Sequence, residues 1–182
     1  MNFMSVLHYA VEYLKIKDIV IVGHYDCGGL KAALSNRDHR APVELWLSSV
    51  RDEVKQHLPE LRLLNDEDKL KRLVEIHLLE QLKNILKTPI VQNARSASMK
   101  ACGTPFPRVH GMIHNPFTGK IRRVRFNIER LIDESFNEVY SLGTPLAPAT
   151  ASGKLRGLNE PAELSLGEEE APQAVDPAQP KL

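Results

Sequence analysis

The sequence predicts an α/β fold with a mostly parallel central sheet flanked by helices. Two observations carry this. Residues 18–22 contain an unbroken β-branched run (Ile19, Val20, Ile21, Val22) with no polar face, the pattern of a strand buried on both sides in a parallel sheet. The run stops at Gly23, and His24-Tyr25-Asp26-Cys27-Gly28-Gly29 leads into a short helical pattern, Leu30 to Leu34. A strand, a glycine-punctuated turn and a helix start place His24 and Cys27 at the carboxyl end of a strand, where open α/β sheets put their chemistry.

The remaining elements follow from periodicity. Residues 5–15 set Val6, Tyr9, Ala10, Tyr13 and Leu14 on one helical face, with Ser5 as N-cap. Residues 35–41 form a polar loop, and Pro42 opens a helix to about His57. Val43, Trp46, Leu47, Val50 and Val54 are its apolar face, with Trp46 read as core and an approach to the His24–Cys27 turn as the alternative. Asn65 caps the longest helix, and Asp66, Glu67 and Asp68 occupy its electropositive first turn. There Leu70, Leu73, Val74, His77, Leu78, Gln81, Leu82 and Ile85 repeat at helical spacing, and His77 reads as a satisfied boundary histidine. Thr88-Pro89 starts a further helix to about Met99, and 100–107 reads as a loop holding Cys102 as a free thiol. Residues 108–114 form a strand, 115–119 a turn and 120–126 the hairpin partner. Arg122, Arg123 and Arg125 on that partner form a charge run that keeps an edge strand soluble, the alternative being an acidic partner. Residues 128–140 form a last amphipathic helix.

Composition sets bounds. The chain has 182 residues, 42% apolar and 26% charged, ordinary values for a soluble protein that buries a core. Residues 1–144 read as one domain. Residues 145–182 hold six of the 12 prolines, three basic and six acidic residues and no aromatics, and are expected to be a disordered Pro/Ala/Glu-rich tail. The net charge of +1 argues against a nucleic acid or membrane partner. Two cysteines do not make a disulfide framework. No run approaches the ~20 apolar residues of a membrane span, and no basic flank precedes an apolar run as in a secretory signal. No arginine occurs before Lys17, and Glu12 is acidic, which disfavours a mitochondrial presequence. The expected location is therefore cytoplasmic.

His24-x-x-Cys27 carries the chemistry. Imidazole nitrogen and thiolate sulfur are both good zinc ligands, and two intervening residues on a tight turn let both face one ion. Alone the pair is a weak signal, because zinc takes three or four ligands. The glycines here match neither the dinucleotide fingerprint nor the phosphate loop.

These residues carry a resemblance. Residues 5–34, SVLHYAVEYLKIKDIVIVGHYDCGGLKAAL, resemble the segment of β-class carbonic anhydrases that supplies two of their zinc ligands. ELWLSSVRDE (44–53) resembles the family's Trp-Leu-x-x-x-Arg-Asp helix. LVEIHLLEQLKNILKTPIVQNA (73–94) resembles its long helix and the Pro-led helix after it, and VHGMIHNPFTGK (109–120) its Val-His-Gly strand and Thr-Gly hairpin. Arg95, Met112 and His114 stand where the family usually has Trp, Trp and Tyr. The resemblance implies Zn2+ held by His24 and Cys27, reversible hydration of carbon dioxide to bicarbonate, and a homodimer or higher oligomer.

The family's upstream Cys-x-Asp-x-Arg motif, which supplies the remaining thiolate and an Asp–Arg pair, does not occur in this sequence. The expectation is a β-carbonic-anhydrase-like domain, 1–144, with N-terminal strands missing and activity impaired. The alternative is a non-catalytic carbonic-anhydrase-like subunit or a weak zinc-binding scaffold. Cys102 could replace the absent thiolate, but the family offers no precedent. The strand at 18–22 would have an unpaired edge, which invites self-association.

Overall fold

The computed structural model describes residues 2–131. At its centre β1 (Asp18–His24) runs parallel to β2 (Arg108–His114), with Asp18 opposite Arg108 and His24 opposite His114. A turn at 115–119 returns the chain antiparallel as β3 (Ile121–Val124), shorter than the predicted 120–126, so the order is β1-β2-β3. The long crossover from β1 to β2 carries α2 (Gly28–Leu34), α3 (Val43–Gln56), the short α4 (Leu58–Leu61), α5 (Asp66–Lys87) and α6 (Pro89–Cys102). Before β1 stand α1 (Asn2–His8) and a π-helical turn, Tyr9–Tyr13. After β3, α7 (Ile128–Leu131) is the first turn of the helix predicted over 128–140. The rest of that helix, the 144/145 boundary and the predicted tail lie outside the described residues.

The core forms where α5 crosses one face of the sheet. Asn65 caps this helix as predicted: its Oδ1 accepts from the Asp68 N–H at 3.0 Å, satisfying one of the first-turn donors. Leu73, Val74, Leu78, Leu82 and Ile85 are buried, and they meet Ile19, Ile21 and Gly23 of β1 and Val109, Gly111 and Ile113 of β2. Gly111 permits the closest approach. A Cβ there would sit 3.0 Å from Leu82 Cδ1 and 3.4 Å from a Leu78 methyl. His77 is a satisfied boundary histidine, its Nδ1 2.8 Å from Glu53 Oε2.

Four sequence expectations are corrected. β1 is not buried on both sides. Ile19, Ile21 and Gly23 face α5, while Val20 and Val22 on the other face remain 47% and 55% exposed. Among the described residues α5 covers one face only, and an apolar run does not state how many faces are covered. On the first helix, Leu7 and Val11 are buried, whereas Val6, Tyr9, Tyr13 and Leu14 are exposed. The segment is apolar on two faces, and the π-turn, with Leu14 N–H reaching back to Tyr9 O at 3.1 Å, resets which one meets the core. The helix also begins at Asn2, so Ser5 lies inside it and is not its N-cap. Trp46 is not a core residue: α3 buries Leu47 and Val50 and leaves Trp46 55% exposed.

At the start of the sheet the two parallel strands are clamped by charge. Arg108 donates from Nε to Asp18 Oδ1 at 2.8 Å and from Nη2 to Oδ2 at 2.9 Å, a bidentate pair. His110 Nε2 also donates to Oδ1, at 2.8 Å. The Arg108 hydrogen bonds, and then that from His110, hold the Asp18 carboxyl at about 2 against its ordinary 3.8. A carboxyl with a folded-state pKa below its unfolded value adds stability above the unfolded pKa and loses it as pH falls through the folded one. Chemical denaturation stepped from neutral pH down to about 2 should therefore show wild type weakening between 3.8 and about 2. Asp18→Asn should lack that part of the acid limb.

Candidate metal centre

His24 is the last residue of β1, and its Nδ1 lies 2.9 Å from Tyr25 O. A carbonyl oxygen only accepts, so Nδ1 carries the proton and Nε2 keeps its lone pair free to act as a donor to a metal. Tyr25 N–H donates to His114 O at 3.0 Å, extending the β1–β2 ladder one residue into the turn. Asp26 then takes the left-handed conformation, φ +58°, which Asp tolerates better than most residues. Its carboxylate pairs with Lys31 in α2. The turn ends at Cys27, the residue that precedes α2, half-buried with a free thiol, while its carbonyl accepts from Lys31 N–H at 3.0 Å. Both sequence-predicted donors thus belong to one turn at the carboxyl end of the parallel pair.

Trp46 borders this turn although it is exposed. A Cβ placed on Gly29 would fall 2.9 Å from Trp46 Cζ3, 3.0 Å from Cη2 and 3.9 Å from Cys27 Sγ. The indole therefore lies over Gly29 in the first turn of α2, two residues beyond Cys27. A side chain at 29 would have to push the indole aside.

Under the turn runs a line of charge that sequence reading missed. Glu75 of α5 is only 8% exposed. Its Oε1 accepts from Arg122 Nη2 at 2.7 Å and its Oε2 from Arg72 Nη1 at 3.3 Å. The same Arg122 Nη2 donates to the Tyr25 hydroxyl at 2.8 Å. Burial works against the Arg122 cation, but Tyr25 and then Glu75 outweigh it, and its pKa is raised. The expectation that Arg122 serves only to keep an edge strand soluble is corrected: Arg123 and Arg125 are exposed, while Arg122 turns inward. The signal was present in strand alternation, since Arg122 shares its face with the buried Val124.

Two further arginines shape the surroundings. Arg51, in the Trp-Leu-x-x-x-Arg-Asp helix, donates to Ser35 O at 2.7 Å and Arg37 O at 3.0 Å and pairs with Glu44, tying down the loop after α2. The His39 backbone N–H, and then Arg51, lower the pKa of Glu44. Arg95 donates to Pro107 O at 2.7 Å and Pro105 O at 3.3 Å, fixing the chain that enters β2. Burial pulls its pKa down.

Cys102 ends α6 instead of lying in a loop. It is exposed, and its Sγ donates to Ser98 O at 3.1 Å. Among the described residues no group of three or more His, Cys, Asp and Glu side chains is disposed to hold a metal. His24 and Cys27 supply two donors, whereas catalytic zinc takes three from the protein. The described residues of one chain therefore do not fit a complete zinc site.

The α/β fold with a His-x-x-Cys turn at the carboxyl end of a parallel strand is the arrangement that the resemblance of the sequence to β-class carbonic anhydrases leads one to expect. Comparison with known proteins agrees. The family model for carbonic anhydrase matches residues 1–121. A carbonic anhydrase of Emericella nidulans is 33% identical over 143 residues, 78% of this chain and 59% of that protein. The β-carbonic anhydrase CafA of Aspergillus fumigatus superposes with a TM-score of 0.62 at 30% identity, covering 76% of this chain and 63% of that one. A Coccomyxa β-carbonic anhydrase, solved with acetazolamide, gives 0.59 at 36% identity over 68% of this chain and 54% of that one. This chain belongs to the carbonic anhydrase family, in its β class. It spans less than two thirds of each of these relatives.

Because Trp46 is the single tryptophan, its fluorescence reports on the turn. Gly29→Ala should displace the indole and change its emission. Gly28→Ala, where an added Cβ meets nothing within 4 Å, should leave it unchanged.

Proposed function

We propose that this chain carries the His-x-x-Cys part of a β-class carbonic anhydrase centre, whose reaction is the reversible hydration of carbon dioxide to bicarbonate. The observation that carries the reading is the His24 Nδ1–Tyr25 O hydrogen bond. It leaves Nε2 as the free ring nitrogen of His24, on the same turn as Cys27, in a chain of that family. Zn2+ is the ion this donor pair suits, since imidazole and thiolate together select it over the oxygen-seeking cations. Two donors do not complete its shell, so at least one more must come from outside the described residues of this chain, and no catalytic step follows from His24 and Cys27 alone.

A homodimer or higher oligomer fits this proposal. Exposed apolar side chains on the first helix and its π-turn (Phe3, Val6, Tyr9, Tyr13) and on β1 (Val20, Val22) are the kind of surface that a partner covers. Related Sordaria macrospora β-carbonic anhydrases are described as tetrameric. Free Cys27 and Cys102 suit a reducing, cytoplasmic setting. A second reading is favoured by the two-donor count: a non-catalytic carbonic-anhydrase-like subunit or weak zinc-binding scaffold.

Zinc per chain in dialysed protein, with Cys27→Ser as control, separates the two. For a carbonic anhydrase centre, near-stoichiometric zinc is expected, at least tenfold weaker retention in the variant, and carbon dioxide hydration by the zinc-loaded chain. Zinc near zero, or zinc without hydration, would instead establish the scaffold reading.

A further inference from the structure

We propose that Arg122 is a positioning residue for the donor turn: anchored by the buried Glu75 carboxylate, it acts through Tyr25 to set the orientation of His24. The inference rests on reading His24 and Cys27 as metal donors.

Tyr25 lies between the donors and supplies none of the metal-binding atoms, yet each of its polar groups is engaged. Its hydroxyl accepts from Arg122 Nη2 at 2.8 Å. Its N–H donates to His114 O at 3.0 Å. Its carbonyl accepts from His24 Nδ1 at 2.9 Å. The first of these contacts ties the phenol ring to β3 and the second ties the backbone to β2. The third transmits that placement to the imidazole and fixes which ring nitrogen stays unprotonated. A carbonyl held from two strands is a better-placed acceptor than one in a free loop.

The anchor is stiff for an electrostatic reason. Glu75 is the buried charged side chain of the core, and an ionised carboxylate away from water must keep its partners. It has two, Arg122 and Arg72, and Arg72 is itself held by Glu60 at 3.2 Å. Arg122 therefore has little freedom to leave. One nitrogen, Nη2, donates to both Glu75 and Tyr25, so its two hydrogens tie the core charge to the site turn. An ammonium also has hydrogens enough for both acceptors, so lysine is the conservative replacement. A role confined to folding would need only the Glu75 contact. The hydroxyl contact is what reaches the site.

The test uses the full chain, metal-free and 15N-labelled, with long-range proton–nitrogen spectra reading the His24 tautomer at alkaline pH. Wild type should show Nδ1–H predominating. Tyr25→Phe, which keeps the Glu75–Arg122 pair, should shift the ratio measurably toward Nε2–H, by at most about fivefold, the weight of one net hydrogen bond, with little change in the denaturation midpoint. Arg122→Met should shift it likewise and Arg122→Lys should restore it. An unchanged His24 ratio in Tyr25→Phe would overturn the proposal, leaving the network a purely structural one. Should Arg122→Met fail to fold, Tyr25→Phe decides alone. Zinc uptake plays no part in this readout, so a tautomer shift in a chain that retains no zinc would count against the proposed function while upholding the positioning role.

Discussion

The structure depends on the parallel pairing of β1 with β2. The paired residues stand 90 positions apart, from Asp18 with Arg108 to His24 with His114. Closing so long a loop is entropically costly, and the apolar surface that α5 and the sheet remove from water offsets it. The register is demanding. A slip of one residue would turn Ile19, Ile21, Val109 and Ile113 away from the Leu78–Leu82 ridge and drive Val20, His110 and His114 into it. The register that packs the core is thus the one that brings His24 alongside His114 and opens the donor turn at the carboxyl end of the strands.

Around this pairing, irregular segments are held chiefly by arginine. Arg51, Arg95 and Arg122 each donate across a gap in secondary structure, to loop carbonyls or to a phenol. For Arg51, which donates from both terminal nitrogens to separate loop carbonyls, a planar guanidinium with several fixed donors suits this work better than a lysine ammonium. The backbone acceptors it reaches would otherwise want partners that helix and sheet ladders cannot supply. The exposed Arg108–Asp18 pair is a weaker kind of contact, screened by solvent and salt. The Glu75–Arg122 pair sits where screening is poor, so loss of either partner would leave an uncompensated charge.

The two faces of the sheet contrast. On one, α5 meets Gly23 and Gly111, with aliphatic ridges filling the space. On the other, Val20 and Val22 share the surface with the Asp18–Arg108–His110 cluster at one end and His24 at the other. The first helix likewise buries Leu7 and Val11 while turning Phe3, Val6 and Tyr13 outward. Apolar surface of this extent is what the proposed oligomer would cover, and the donor turn lies at the carboxyl end of the sheet's parallel pair.

Much of the architecture was legible in the sequence because it rests on local rules. Periodicity, the Asn65 cap, Pro42 and Pro89 at helix starts and the β-branched run at 18–22 fix element type and order whatever packs against them. The ordered motifs identified the family, and the His-x-x-Cys spacing in the HYDCGG turn marked His24 and Cys27 as a pair. Tertiary structure alone decided which apolar stripe of the first helix is buried, that one face of β1 is covered by α5, and that Trp46 borders the donor turn from outside the core. It also decided that Arg122, read as one of three solubilising charges, belongs with Glu75 and Tyr25. The reason is common to all four. A residue's own pattern records that it is apolar or charged, but its role depends on which partner, 17 to 97 positions away in the contacts seen here, folding brings to its side.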